Sequence, residues 1–174
     1  LVKSYPNSMH YCCQLITAYS RTARIEQRDT LWTKTDKHFR SGGRWTESNV
    51  ALFARCANSN SMNRRAIDTF REVIALRRRH TGNHGTRDTT LTYYYRDLAE
   101  VYVRVKNTIK AVDAISAAIV SWPNKHYEKT RLLNRLKQAI ERSPDLAGFV
   151  AHCNAELKRT GQDSPLIRKT LGSV

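Results

Sequence analysis

Apolar residues recur along this chain at the period of an α-helix, run after run, with only short breaks between them. Ala66, Ile67, Phe70, Val73 and Ile74 stand at i, i+1, i+4, i+7 and i+8, which gathers them on one side of a helix of about 3.6 residues per turn. Leu91, Tyr94, Leu98, Val101, Tyr102 and Val105 make a second such set, and Val112, Ile115 and Ile119 a third. Tyr127, Leu133, Leu136 and Ile140 make a fourth, and Phe149, Val150, Cys153 and Leu157 a fifth. Near the start, Leu15, Ile16 and Tyr19 mark one helix and Ile25 to Trp32 another. No stretch alternates apolar and polar residues between hairpin turns, so strands are not expected.

The breaks carry the chemistry of helix ends. Ser41-Gly42-Gly43 and Thr81-Gly82-Asn83-His84-Gly85 place glycine where a left-handed residue closes a helix. Trp122-Pro123-Asn124 and Ser143-Pro144-Asp145 set proline where a new helix opens. The expectation is an all-α chain of about eight helices, paired as antiparallel hairpins over 8–40, 46–81, 88–122 and 124–160. These form a single helical-repeat domain over 1–160, followed by a basic tail at 161–174.

Internal similarity turns the hairpins into repeats. Tyr11-Cys12-Cys13-Gln14-Leu15-Ile16-Thr17-Ala18-Tyr19 aligns with Ser48-Asn49-Val50-Ala51-Leu52-Phe53-Ala54-Arg55-Cys56 at an offset of 37, and Tyr94 to Tyr102 follows at a further 46. Each is followed by a polar turn and a second helix. Two-helix units of this size cannot bury their own apolar faces, so they stack on neighbours as a short α-solenoid.

The charge is equally one-sided. Thirty Lys and Arg face 15 Asp and Glu, for a net charge of +15, and such a surface repels itself unless a polyanion neutralises it. Arginine outnumbers lysine 20 to 10, and the planar guanidinium grips phosphate with two parallel bonds. The densest run is Arg77-Arg78-Arg79, with Arg64, Arg65, Arg71 and Arg87 close in sequence. Cations at a helix C-terminus also complement the helix dipole, which is the plain structural explanation of the run. Arg40 and Arg44 flank Gly42-Gly43, a loop suited to a phosphate backbone. Tyr93-Tyr94-Tyr95 beside Arg96 could stack a base, but successive helical residues point about 100° apart, so core is expected for Tyr94 and partial exposure for the other two.

The segment Tyr11 to Tyr19 with Arg24-Ile25-Glu26 resembles the first helix and turn of a pentatricopeptide repeat, and Ala66 through His84 to Tyr102 is similar to tetratricopeptide repeats. The pentatricopeptide likeness implies RNA binding on the first helices, with base-reading positions at Cys12, Asn49 and Tyr95. Only Asn49 is a polar reader, so phosphates and shape would dominate. It further implies a non-catalytic subunit of a large ribonucleoprotein in the mitochondrial matrix, the mitochondrial ribosome first, or an organellar RNA-processing complex. The expected RNA contacts are Arg40, Arg44, Asn49, Arg64, Arg65, Arg77, Arg78, Arg79, Arg87, Tyr95 and Arg96, with neighbouring proteins of the assembly as further partners. The tetratricopeptide likeness implies an adaptor that holds an acidic protein segment through Arg96, Arg55 and Asn49.

Other functions find less in the residues. Cys12, Cys13, Cys56 and Cys153 form no C-x-x-C pair, and most sit in apolar runs as small buried hydrophobes, which suggests a reducing compartment. His80 and His84 are four apart but separated by Gly82-Asn83, and His10 beside Cys12 and Cys13 is incomplete, so no metal or other cofactor is expected. No nucleophile elbow, P-loop or dinucleotide fingerprint occurs, and neither an enzyme nor a small-molecule substrate is expected. Ala117-Ala118-Ile119-Val120 is among the longest apolar runs and is too short to span a bilayer, so no membrane role is expected. The chain opens on Leu1 rather than Met, which reads as processing, truncation or incomplete coverage, and no signal or transit peptide is visible.

Overall fold

The computed structural model describes residues 7–81 and 88–121, with 134, 147, 148 and 151 as isolated helical positions. Six helices run through it: α1 (Met9–Arg21), α2 (Ile25–Ser41), α3 (Glu47–Ser59), α4 (Asn63–Thr81), α5 (Thr89–Arg104) and α6 (Thr108–Ser121). Among the described residues there is no strand. The two further helices expected within 124–160, the basic tail, Arg87, His84, Trp122 and Cys153 lie outside the described residues.

The chain divides into two compact units, Leu1–His84 and Gly85–Val174. In the first, α1 pairs with α2, α3 pairs with α4, and α1 packs on α3. Two antiparallel hairpins are thereby stacked first helix on first helix. Ile16, Phe39, Val50, Phe53, Phe70 and Val73 are all essentially without solvent contact. Where apolar residues mark only Ile25 to Trp32, α2 runs on to Ser41. Leu31, Trp32, Thr35 and Phe39 make one buried stripe, and a single phenylalanine two turns beyond Trp32 is enough to keep the helix on the core. In the second unit α5 pairs with α6, where the buried small residues Ala111, Ala114 and Ala118 allow close approach. Thr92 Oγ1 donates to the Ala118 carbonyl at 3.3 Å.

The first helices of the hairpins begin on side-chain caps. Ser8 accepts from the Tyr11 amide, Thr46 from Asn49, and Asp88 from both Thr90 and Leu91, which satisfies donors that the first turn leaves over. They end on one recurring turn. In each hairpin three residues join the helices, and the middle one has positive φ: Ala23 at 55°, Ser61 at 55° and Lys106 at 59°. The next amide reaches back to the third-last helical carbonyl, Arg24 to Tyr19, Met62 to Ala57 and Asn107 to Tyr102, each at 2.9 Å. This is the Schellman closure. The α2–α3 loop uses it too, with Gly43 at φ 66° and the Arg44 amide bonded to the Phe39 carbonyl at 3.1 Å.

Inside the hairpins that left-handed position carries a β-carbon, at about 1–2 kcal/mol. Glycine would remove the cost and return about 0.4–1 kcal/mol of it as unfolded-state entropy. Ser61→Gly is therefore expected to stabilise the protein by about 0.5–1 kcal/mol, read as a rise of a few degrees in Tm. A lowered Tm would show that the serine side chain contributes something its geometry does not reveal.

Candidate nucleic-acid interface

Carboxylates hold several of the arginines. Between residues 7 and 81 there are 14 Arg and Lys but six Asp and Glu, and four of those six, Asp29, Asp36, Glu47 and Glu72, sit in ion pairs. Arg40 grips Glu72 with two parallel bonds, Nη1 to Oε1 at 2.8 Å and Nη2 to Oε2 at 2.7 Å, and its Nε reaches Asp36 at 2.9 Å. Trp45 Nε1 donates to the same Glu72 Oε1 at 2.7 Å, and the Arg40 guanidinium lies 4.0 Å from the Trp45 ring centroid. Arg40 holds the Glu72 carboxyl below the usual carboxylate range, with Trp45 adding to the effect.

On the other side of the same aromatic cluster, Arg65 Nη1 meets Asp29 Oδ1 at 2.9 Å, as does Arg28 Nε. Arg28 is the larger cause, with Arg65 helping, of a lowered Asp29 pKa. Between the two clamps lie the rings themselves. Trp32 stacks on Phe53 at 3.6 Å and 10°, and Trp45 meets Phe53 edge-on at 5.9 Å. The rings join α2 to α3, and Arg65 and Glu72 of the clamps tie α4 to them.

Some of the expected contact residues are built into such pairs and others stand exposed. Arg40 and Arg65 are built into the clamps, and Arg77 reaches Glu47 Oε2 at 3.5 Å. Arg96 pairs with Asp97 at 2.8 Å and lies over the Tyr93 ring. Asn49 spends its side-chain amide on the Arg44 carbonyl at 2.8 Å, fixing the loop before α3. Of the three adjacent tyrosines, Tyr94 and Tyr95 are buried and Tyr93 is the exposed one; the expected partial exposure of Tyr95 is not found. Cys12, the third base-reading position of the resemblance, is buried as well. Arg44, Arg64, Arg78 and Arg79 are exposed, and Arg55 is exposed on α3.

A further residue joins the exposed ones. Arg64, Arg71 and Arg78 are seven apart on α4 and all exposed, with Arg79 beside the last. Seven residues fall about 20° short of two turns, so these side chains form one nearly straight stripe at intervals of about 10.5 Å. Ala66, Thr69, Phe70, Val73 and Ile74 are buried on the opposite side. Arg64, Arg71 and Arg79 have no ion pair among the described residues, and Asp68 is the one exposed carboxylate on that face. The seven-residue spacing is visible in sequence, but the consumption of the acids elsewhere is not.

The remaining chemistry is spare. Cys12, Cys13 and Cys56 are buried free thiols. The Cys56 thiol lies 3.6 Å from the Cys13 carbonyl across α1 and α3, and the hydrogen bond to Cys56, with burial, pushes the Cys13 pKa up. Among the described residues no group of three His, Cys, Asp or Glu gathers as a metal site. No described helix is long and apolar enough to cross a membrane.

No protein-family model and no curated protein matches the chain. Solved structures do. Two crystal structures of a Podosopora anserina putative kinesin light chain with nearly identical TPR-like repeats, one carrying a point substitution, superpose with TM-scores of 0.56 and 0.54. Each is 13% identical, covering 95% and 93% of this chain and 82% and 81% of that one. The fold is a TPR-like helical repeat. Identity this low carries the architecture and not the partner. The likeness lies with the tetratricopeptide side of the sequence resemblance.

Proposed function

We propose that this TPR-like protein is a non-catalytic RNA-binding subunit of a large ribonucleoprotein, with the mitochondrial ribosome as the assembly its sequence resemblance suggests. The observation that carries the reading is the exposed arginine face of α4, opposite the buried stripe, with Arg44 in the α2–α3 loop as a further cation. Ion pairs within the first unit engage most of its carboxylates, so few acids compete with a phosphate for the arginines of the α4 face. Phosphates replaced by arginine release counterions, which gives affinity without sequence choice. That agrees with base-reading positions that are buried or occupied, at Cys12, Tyr95 and Asn49.

The test is RNA binding across a salt series. About four phosphate contacts lower affinity on the order of 100-fold between about 50 and 200 mM salt. The competing reading is an adaptor for an acidic protein segment, favoured by the likeness to TPR-like repeats. Absent or salt-insensitive RNA binding with retained binding of an acidic peptide decides for the adaptor. Co-sedimentation with ribosomal particles, rather than with a smaller RNA-processing complex, tests the assembly.

A further inference from the structure

Resting on that RNA reading, we infer that the outer face of α4 docks on the backbone of double-stranded RNA rather than on an unpaired strand. A rigid helix fixes its arginines at regular intervals along nearly one line. A duplex offers a rigid, dense phosphate ladder to meet them, with one charge per nucleotide on each of its two strands. A flexible single strand must be straightened to do the same, which costs entropy, and proteins that bind single strands offset that cost by stacking bases on exposed aromatic rings.

The α4 face has no such ring. Along the stripe its exposed positions are Arg64, Asp68, Arg71, Ala75, Arg78 and Arg79; of the helix's rings, Phe70 is fully buried, and His80 lies off the stripe with Nδ1 3.6 Å from Glu47 Oε2. Trp32 and Trp45, the large rings nearest in the fold, are committed to Phe53 and to the arginine clamps. A cationic ladder without stacking or base-reading groups fits a partner recognised by its phosphates and its shape, which is how paired RNA is held.

Asp68 is the feature on this face that opposes the reading, and it provides a second test. It lies between Arg64 and Arg71, exposed, with no ion pair among the described residues. Asp68→Asn removes the one repulsion from the stripe without touching the core, so duplex affinity is expected to rise several-fold.

The experiment compares a perfectly paired RNA with an unpaired RNA homopolymer of equal phosphate number, using the full chain. The duplex is expected to bind at least ~10-fold tighter, with a salt slope near −0.9 per contacted phosphate. The triple variant Arg64→Gln, Arg71→Gln, Arg79→Gln is expected to keep its Tm and to lose close to three units of that slope. Equal or tighter binding of the homopolymer overturns the duplex inference and leaves RNA binding standing. An unchanged slope in the triple variant, or unchanged affinity in Asp68→Asn, overturns α4 as the surface. Failure of both RNAs to bind removes this inference together with the proposed function.

Discussion

Replacing Phe53 with alanine is expected to lower the stability of the first unit by about 4 kcal/mol, the upper range for a buried ring. Phe53 has no solvent contact, stacks on Trp32 and receives the edge of Trp45. Truncation removes the transfer energy of the ring and leaves a cavity between two indoles. Neither indole can collapse inward, because each flanks an arginine that is itself ion-paired, Arg65 to Asp29 and Arg40 to Glu72. Each lost ring pair adds about 0.5–1.5 kcal/mol beyond area. Domains of this size have stabilities of only about 5–10 kcal/mol, so the variant should unfold at a far lower denaturant midpoint. Tryptophan fluorescence reads it directly, since Trp32 and Trp45 both belong to this cluster. Phe53→Leu, which refills part of the space, is expected to lose less than half as much. A midpoint within about 0.5 kcal/mol of the parent would mean that the ring stack is not what joins the two hairpins.

Removing the carboxylate of Glu72 is the second large effect. Glu72→Ala deletes the acceptor of two Arg40 bonds and of the Trp45 indole at once. Bonds to a charged group contribute about 1.5–3 kcal/mol when well shielded, but here the Glu72 side chain keeps 32% of its surface in solvent. Screening reduces each bond below that range, to under about 1 kcal/mol, and about 2 kcal/mol in total is expected. Glu72→Gln, which keeps an acceptor for the indole while losing the charge, should recover roughly half.

The pH dependence follows from the same contacts. The folded-state pKa values of Glu72 and Asp29 are both depressed by their arginines, so the unfolded chain binds protons first as the pH falls. Their contribution is whole above the ordinary carboxylate range, about pH 4, and drains away as the pH drops through the lower folded values. Denaturant midpoints between pH 7 and 3 should therefore fall for the parent and fall less steeply for Glu72→Ala. Equal slopes would place the acid sensitivity elsewhere.

Much of this architecture is legible in the residues. A period of 3.6 is local information, carried by side chains three and four apart, so α1, α3, α4, α5 and α6 lie where their apolar stripes run. The second half of α2 was less visible, because its buried stripe uses Thr35 and one phenylalanine. The hairpin turns were not legible as such. Glycine marks a left-handed residue for the reader, and Ala23, Ser61 and Lys106 hold that conformation without it. Their signal was the equal three-residue length of the turns, not any residue type.

For the candidate interface, sequence supplied the surplus of arginine and folding decided which arginines stay on the surface. Arg77, Arg78 and Arg79 are chemically identical neighbours, yet Arg77 turns toward Glu47, thirty positions back, while Arg78 and Arg79 face water. Arg40 and Arg65 look as available in sequence as Arg64 and Arg71, but their carboxylates, Glu72 and Asp29, lie 32 and 36 residues away. Helical periodicity is set by neighbours along the chain, and the sequence by itself determined it. The pairing of charges depends on which helices meet, an outcome of hairpin stacking around Trp32, Phe53 and Trp45, and only the tertiary structure decided it.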